Sequence, residues 1–114
     1  MLSKIKIKSL IFEIIVFVVG LAIICLFYEN NILTFVLLLL GFIGVITLHP
    51  KKHDLLFFFF AFVIGPIGEI VAIHFGVWTY ANPSFLGIPI WLPLVWGLAF
   101  ICIKRFIQIF EKIK

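Results

Sequence analysis

The sequence predicts an all-α, polytopic membrane protein: four transmembrane helices in one small bundle, followed by a short interfacial C-terminal helix. Three observations carry this prediction. Of 114 residues, 65% are apolar and 12% charged, against about 45–50% and about 25% in soluble domains. Mean hydropathy is +1.34, and phenylalanine alone occurs 15 times. A chain this short leaves much of its surface uncovered when it folds, so lipid is its natural solvent. The charges also fall in clusters, and the apolar runs between them approach the roughly 20 residues a helix needs to cross a bilayer.

The first run, residues 10–28, is interrupted only by Glu13. It is too long for a signal-peptide core and lacks a small-x-small cleavage site before Glu29-Asn30, so it reads as a retained span. The second run, residues 32–48, carries no charge and needs little tilt or some local thinning of the bilayer. The third, residues 55–78, holds Glu69 and His74, and the fourth, residues 88–103, ends at Lys104-Arg105. Three spans remain an alternative if the third run is re-entrant around Gly65-Pro66. Residues 104–114 suit a short amphipathic helix lying in the interface. The whole chain is one domain.

Basic residues set the orientation. Lys4, Lys6 and Lys8 precede the first span, Lys51 and Lys52 lie in the second connection, and Lys104, Arg105, Lys112 and Lys114 close the chain. The first and third connections have none. This alternation fits four spans and places both termini on the cytoplasmic side of the cell membrane. The net charge of +4 follows from the same rule and calls for no nucleic-acid partner. A basic cytoplasmic rim attracts anionic lipid.

Several residues have plain readings. Cys25 and Cys102 lie in apolar spans too far apart to pair, and behave as small hydrophobes. His49 and His53 have helical metal-ligand spacing, but Pro50 lies between them, so they read as a solvated basic turn. No metal or cofactor is expected. Phe57 to Phe60 read as lipid-facing or packing surface. Glu13 lies on the cytoplasmic side of its span, to which the fourth helix returns. It reads as an ion pair with Lys104-Arg105 or as a carboxylate reaching the interface, and otherwise as a proton or cation site.

Glu69 is the strongest functional lead. A carboxylate inside a span costs several kcal/mol unless it is neutral, paired or lining a polar cavity. At 100° per residue, Gly65, Ala72 and Gly76 fall within about 60° of it, with Gly68 just beyond and Ala61 continuing the stripe. Small residues let a neighbouring helix approach closely, so Glu69 is expected to face the bundle interior. Pro66 removes a backbone donor and bends the helix. His74 lies about 140° around from Glu69 on a regular helix. All three tryptophans follow this region. An aromatic belt at the outer interface accounts for Trp78, Tyr80 and Trp91, but not for Trp96. Glu69, His74, Trp78 and Trp96 are expected to line one pocket.

The order Gly68-Glu69, Phe75-Gly76-Val77-Trp78-Thr79-Tyr80, Gly87-Ile88-Pro89 and Pro93-Leu94-Val95-Trp96 resembles the carotenoid biosynthesis membrane protein family (bisanhydrobacterioruberin hydratase-like) over residues 65–97. The resemblance implies an isoprenoid substrate held in an intramembrane pocket. Hydrating or cyclising its double bond needs a proton delivered to carbon. A buried carboxylic acid kept protonated can deliver it, and aromatic faces can stabilise the carbocation. The resemblance makes Glu69 the acid, with Trp78, Tyr80 and Trp96 as the wall.

Two other classes remain. One is a structural or accessory membrane protein in which Glu69 bonds another helix or a partner. The other is a proton-coupled transporter, similar in outline to the small multidrug resistance transporters, acting as a homo-oligomer, namely a dimer with Glu13 or Glu69 on its symmetry axis. An enzyme requires a pocket lined by the third and fourth helices. A structural role requires Glu69 to be satisfied from within the fold.

Overall fold

The computed structural model describes residues 4–111, and among these it is all-helical, with α1 (Lys4–Phe27), α2 (Asn31–Leu48), α3 (Asp54–His74) and α4 (Leu92–Glu111). All four are long and apolar enough to cross a membrane. The long axis of 46 Å is close to the 40–45 Å of a bilayer with its headgroups. The helices run up and down, so α1 begins and α4 finishes at one end of the bundle. That end, with the α2–α3 turn, is called the terminal end below. The α1–α2 turn and the long α3–α4 loop lie at the far end.

Local chemistry sets each boundary. Asn30 caps α2, its side-chain oxygen accepting the Leu33 N–H at 3.0 Å, which satisfies one orphan donor of the first turn. The helix ends at Leu48 because His49 precedes Pro50, and a residue before proline avoids the helical region. Asp54 opens α3 and closes the preceding turn by accepting the Lys51 N–H at 2.9 Å. At its other end α3 stops in a Schellman motif. Gly76 takes a left-handed φ of 77°, its N–H bonds the Ile73 carbonyl, and the Val77 N–H bonds the Ala72 carbonyl, each at 3.0 Å. Only glycine enters that region without steric cost.

The glycine cap corrects the sequence reading of the third span. Residues 75–78 leave the helix, so Trp78 is a loop residue, and Gly76 is a cap instead of a packing residue. The fourth span differs too. Residues 88–91 form the turn before α4, and Pro93 occupies its first turn, where a missing N–H is harmless. The helix then passes through Lys104-Arg105 to Glu111. The stretch from residue 104 is helical as expected, but as a continuation of α4, with residues 112–114 outside the described residues. No glycine or proline follows Gly97 to break it, and carboxylates from α1 and α3 neutralise its two cations.

α4 packs against all three other helices, most extensively against α3, while α1 packs against α2 and α4. α4 is the most buried of the four and α1 the least. The core comprises Leu38 and Val45 of α2, Phe58 of α3, Ile88 and Trp91 of the loop, and Leu92, Leu94 and Ile101 of α4. Two rings seat on glycines across the α3–α4 seam. The Trp96 ring covers Gly65 and the Phe58 ring covers Gly97, so that a Cβ at either glycine would collide with the ring. Phe42 of α2 stacks on the other side of Phe58 at 4.0 Å. Of the predicted small stripe, Ala61 and Gly65 are buried, Ala72 is half-buried, and Gly68 faces outward with open space around it; Pro66 is buried beside Gly65. Outward-facing Ile14, Phe17, Leu40, Phe59, Ile64 and Ile103, among others, leave large apolar surface exposed, far beyond what soluble monomers carry.

Candidate functional sites at the two ends of the bundle

The far end is organised by Glu69, only 9% exposed. Its Oε2 accepts the Tyr80 hydroxyl at 2.5 Å and the Trp96 indole N–H at 3.2 Å. Among the described residues no donor reaches Oε1. One carboxylate therefore joins α3, the α3–α4 loop and the second turn of α4. It sits five residues before the end of α3, about 7.5 Å along the axis, and so halfway between the middle of the helix and its far end. A buried indole N–H needs an acceptor. Glu69 supplies it, and Gly65 gives the Trp96 ring room to reach it. This explains the one tryptophan that an interfacial belt did not. Burial holds the Tyr80 hydroxyl well above the usual tyrosine range, and the adjacent Glu69 carboxylate adds to the shift. Tyr80 is thus a neutral donor.

The structure brings together Glu69, Tyr80 and Trp96 and leaves His74 and Trp78 apart from them. His74 is exposed, its ring edge-on to Phe75 at 5.4 Å. Trp78 is 45% exposed. The 100° step along α3 turns His74 away from Glu69, and the Gly76 cap carries the chain off the helix before Trp78.

A second network ties the long loop to the α1–α2 turn. Asn31 donates to the Asn82 carbonyl at 2.8 Å and to the Ser84 hydroxyl at 2.9 Å, and accepts the Trp91 indole N–H at 3.2 Å. Asn82 donates to the Glu29 carbonyl at 2.6 Å. Ser84 also accepts the Ile90 N–H at 3.1 Å. Nothing in the hydropathy or charge pattern singles out Asn31, Asn82 or Ser84. The only available signal was the presence of polar side chains at both ends of an otherwise apolar region. A cavity of ≈ 200 Å³ lies against this network, lined by Tyr28, Tyr80, Asn82, Pro89 and Trp91 among others. A smaller apolar cavity of ≈ 130 Å³ lies deeper, between α1, α2 and α4. Glu69 lines neither, and neither is bounded by α3.

The terminal end holds the most buried charge. Arg105, 2% exposed, donates to Glu13 Oε2 at 3.1 Å, Asp54 Oδ2 at 2.6 Å, the Val45 carbonyl at 3.3 Å and the His49 carbonyl at 2.8 Å. Lys104 bonds the other oxygen of Asp54 and the Lys52 carbonyl. Arg105 thereby touches all three other helices. The expected pairing of Glu13 with Lys104-Arg105 is present through Arg105, and Asp54 is the partner the sequence reading missed. Its signal was its place as the acid opening α3, three residues after Lys51. Two anions and two cations balance, which is how charge survives burial. Glu13 Oε1 and His49 Nε2 are buried without a partner among the described residues. His53 is exposed as expected of a solvated turn, but His49 is half-buried beside the Phe12 ring at 4.7 Å. Burial, then Lys51 and Arg105, hold the His49 imidazole below the usual histidine range. Comparison with family models, curated proteins and solved structures gives no match to this chain.

Proposed function

We propose that this chain is a structural or accessory protein of the cell membrane, with both termini cytoplasmic, whose buried carboxylates hold the bundle together. The observation that carries this reading is the engagement of Glu69 by Tyr80 and Trp96. Both donors come from within the fold, from segments that need fixing to α3, and the carboxylate lines neither cavity at its end of the bundle. The terminal end repeats the arrangement with Glu13 and Asp54. The orientation rests on the lysines of the α2–α3 turn and of the N-terminal segment, all at the terminal end.

A second reading is supported by one specific feature. Among the described residues no donor reaches Glu69 Oε1, and Tyr80, which bonds Glu69, also lines the ≈ 200 Å³ cavity. An isoprenoid in that cavity, reached by movement of Tyr80, would meet the acid that the carotenoid-family resemblance implies. One experiment separates the two readings. The protein is purified in mild detergent from its own membranes, as wild type and Glu69→Gln, and co-purifying lipids are identified by mass spectrometry. The structural reading expects the same bulk phospholipids in both and a lower melting temperature for the variant. A specific isoprenoid retained by wild type and lost or altered in Glu69→Gln overturns it in favour of the second.

A further inference from the structure

We propose that the cleft between the end of α2 and the start of α3 binds an anionic phospholipid, with its phosphate headgroup at the Lys51–His53 turn and one acyl chain along α3. This site lies at the opposite end of the bundle from Glu69 and does not rest on the reading of that residue. The cleft measures ≈ 310 Å³, and its walls include Pro50, Lys51, His53, Leu55 and Leu56. Through Leu55 and Leu56 it continues into an open groove of ≈ 550 Å³ along α3, lined by Phe59, Phe60, Val63 and Ile64. From Leu55 to Ile64 this track runs about 13 Å along the helix, close to the roughly 15 Å of hydrocarbon in one leaflet.

Charge decides the occupant. Asp54 also lines the cleft, but its carboxylate is turned inward onto Lys104 and Arg105. With Glu13 on Arg105, the buried cluster sums to zero. Lys51 on the cleft wall and Lys52 next to it in the turn are then uncompensated, since among the described residues neither is in an ion pair. A zwitterionic headgroup brings no net charge to balance them, whereas a phosphodiester with an uncharged head does. The same surface supplies an apolar track for the chain that such a headgroup carries.

The test uses the full chain in nonionic detergent, titrated with phosphatidylglycerol or phosphatidylcholine of identical acyl chains and read by native mass spectrometry. A lysine near a charged membrane surface is worth about fivefold in affinity. Phosphatidylglycerol is therefore expected to bind about tenfold or more tighter than phosphatidylcholine, and Lys51→Gln/Lys52→Gln to weaken it about 30-fold. Lys8→Gln, one lysine removed on α1 at the same end, is expected to cost less than about twofold, against about fivefold for Lys51→Gln alone. Helicity by circular dichroism checks that each variant is folded. Equal affinity for the two lipids overturns the proposal. So does a loss for Lys8→Gln matching that of Lys51→Gln alone, because a diffuse basic rim then accounts for the binding.

Discussion

Replacing Arg105 by methionine removes the hub of the terminal end. The guanidinium has four acceptors within hydrogen-bond reach, at 3.1 Å on Glu13, 2.6 Å on Asp54, 2.8 Å on the His49 carbonyl and 3.3 Å on the Val45 carbonyl. The two carboxylates do not suffer equally. Asp54 keeps Lys104 and the Lys51 N–H. Glu13, 1% exposed, loses its only partner among the described residues, and its other oxygen is already orphaned. Breaking a buried ion pair by removing one member costs about 3–5 kcal/mol, because the remaining charge stays buried and uncompensated. Arg105→Met is therefore expected to lose about 4 kcal/mol. Adding Glu13→Gln removes the stranded charge and should restore about 2 kcal/mol, a coupling typical of residues in one network. Arg105→Lys is expected to fall between, since an ammonium cannot span four acceptors in fork geometry. Reversible unfolding in mixed micelles, followed by circular dichroism and tryptophan fluorescence, gives these free energies. A loss under about 1 kcal/mol for Arg105→Met, or an equal cost of Glu13→Gln in both backgrounds, would refute the hub.

The two ring-on-glycine contacts predict a contrast within α3. Gly65→Ala drives a methyl into the Trp96 ring and should cost about 1–3 kcal/mol, whereas Gly68→Ala, in open space, should be neutral or stabilising by a few tenths to about 1 kcal/mol. Thermal melting of the pair in detergent checks this. Because the Tyr80 hydroxyl titrates above its unfolded value of about 10, the unfolded chain loses that proton first. Stability is then full below about pH 10 and declines above it, and Tyr80→Phe should flatten that alkaline limb of a stability–pH curve. His49 has the opposite sign. Its folded value lies below about 6.5, so stability is full above that pH and declines as pH falls toward the folded value. His49→Gln should flatten that part of the acid limb.

Much of the fold is legible because lipid imposes simple rules. Charge clusters mark the turns, the lysines alternate between connections, and Glu13 lies at the depth where Lys104-Arg105 return. The errors arise where a local or tertiary interaction overrides hydropathy. Apolar residues 75–78 look like span, but the Gly76 cap ends α3 first. Lys104-Arg105 look like a span boundary, but Glu13 and Asp54 let α4 carry them through. At the far end, a helical wheel places Glu69 on the inward face without showing which neighbour meets it. Trp96 and Tyr80 reach it from 27 and 11 residues away, across a seam whose register depends on Gly65 and Gly97. The Asn31–Asn82 contact spans 51 residues and leaves no periodicity to read.

The central claim is that the Glu69 carboxylate is held by donors from the loop and from α4. The most direct measurement is the ¹⁵N–¹H spectrum of the indole groups in micelles, with Trp96 assigned through Trp96→Phe. The account predicts that the Trp96 indole proton resonates downfield and exchanges slowly, and that Glu69→Ala moves it upfield and speeds its exchange while Trp78 stays in place. A Trp96 signal unmoved by Glu69→Ala would contradict the account, because the carboxylate would then not hold α4.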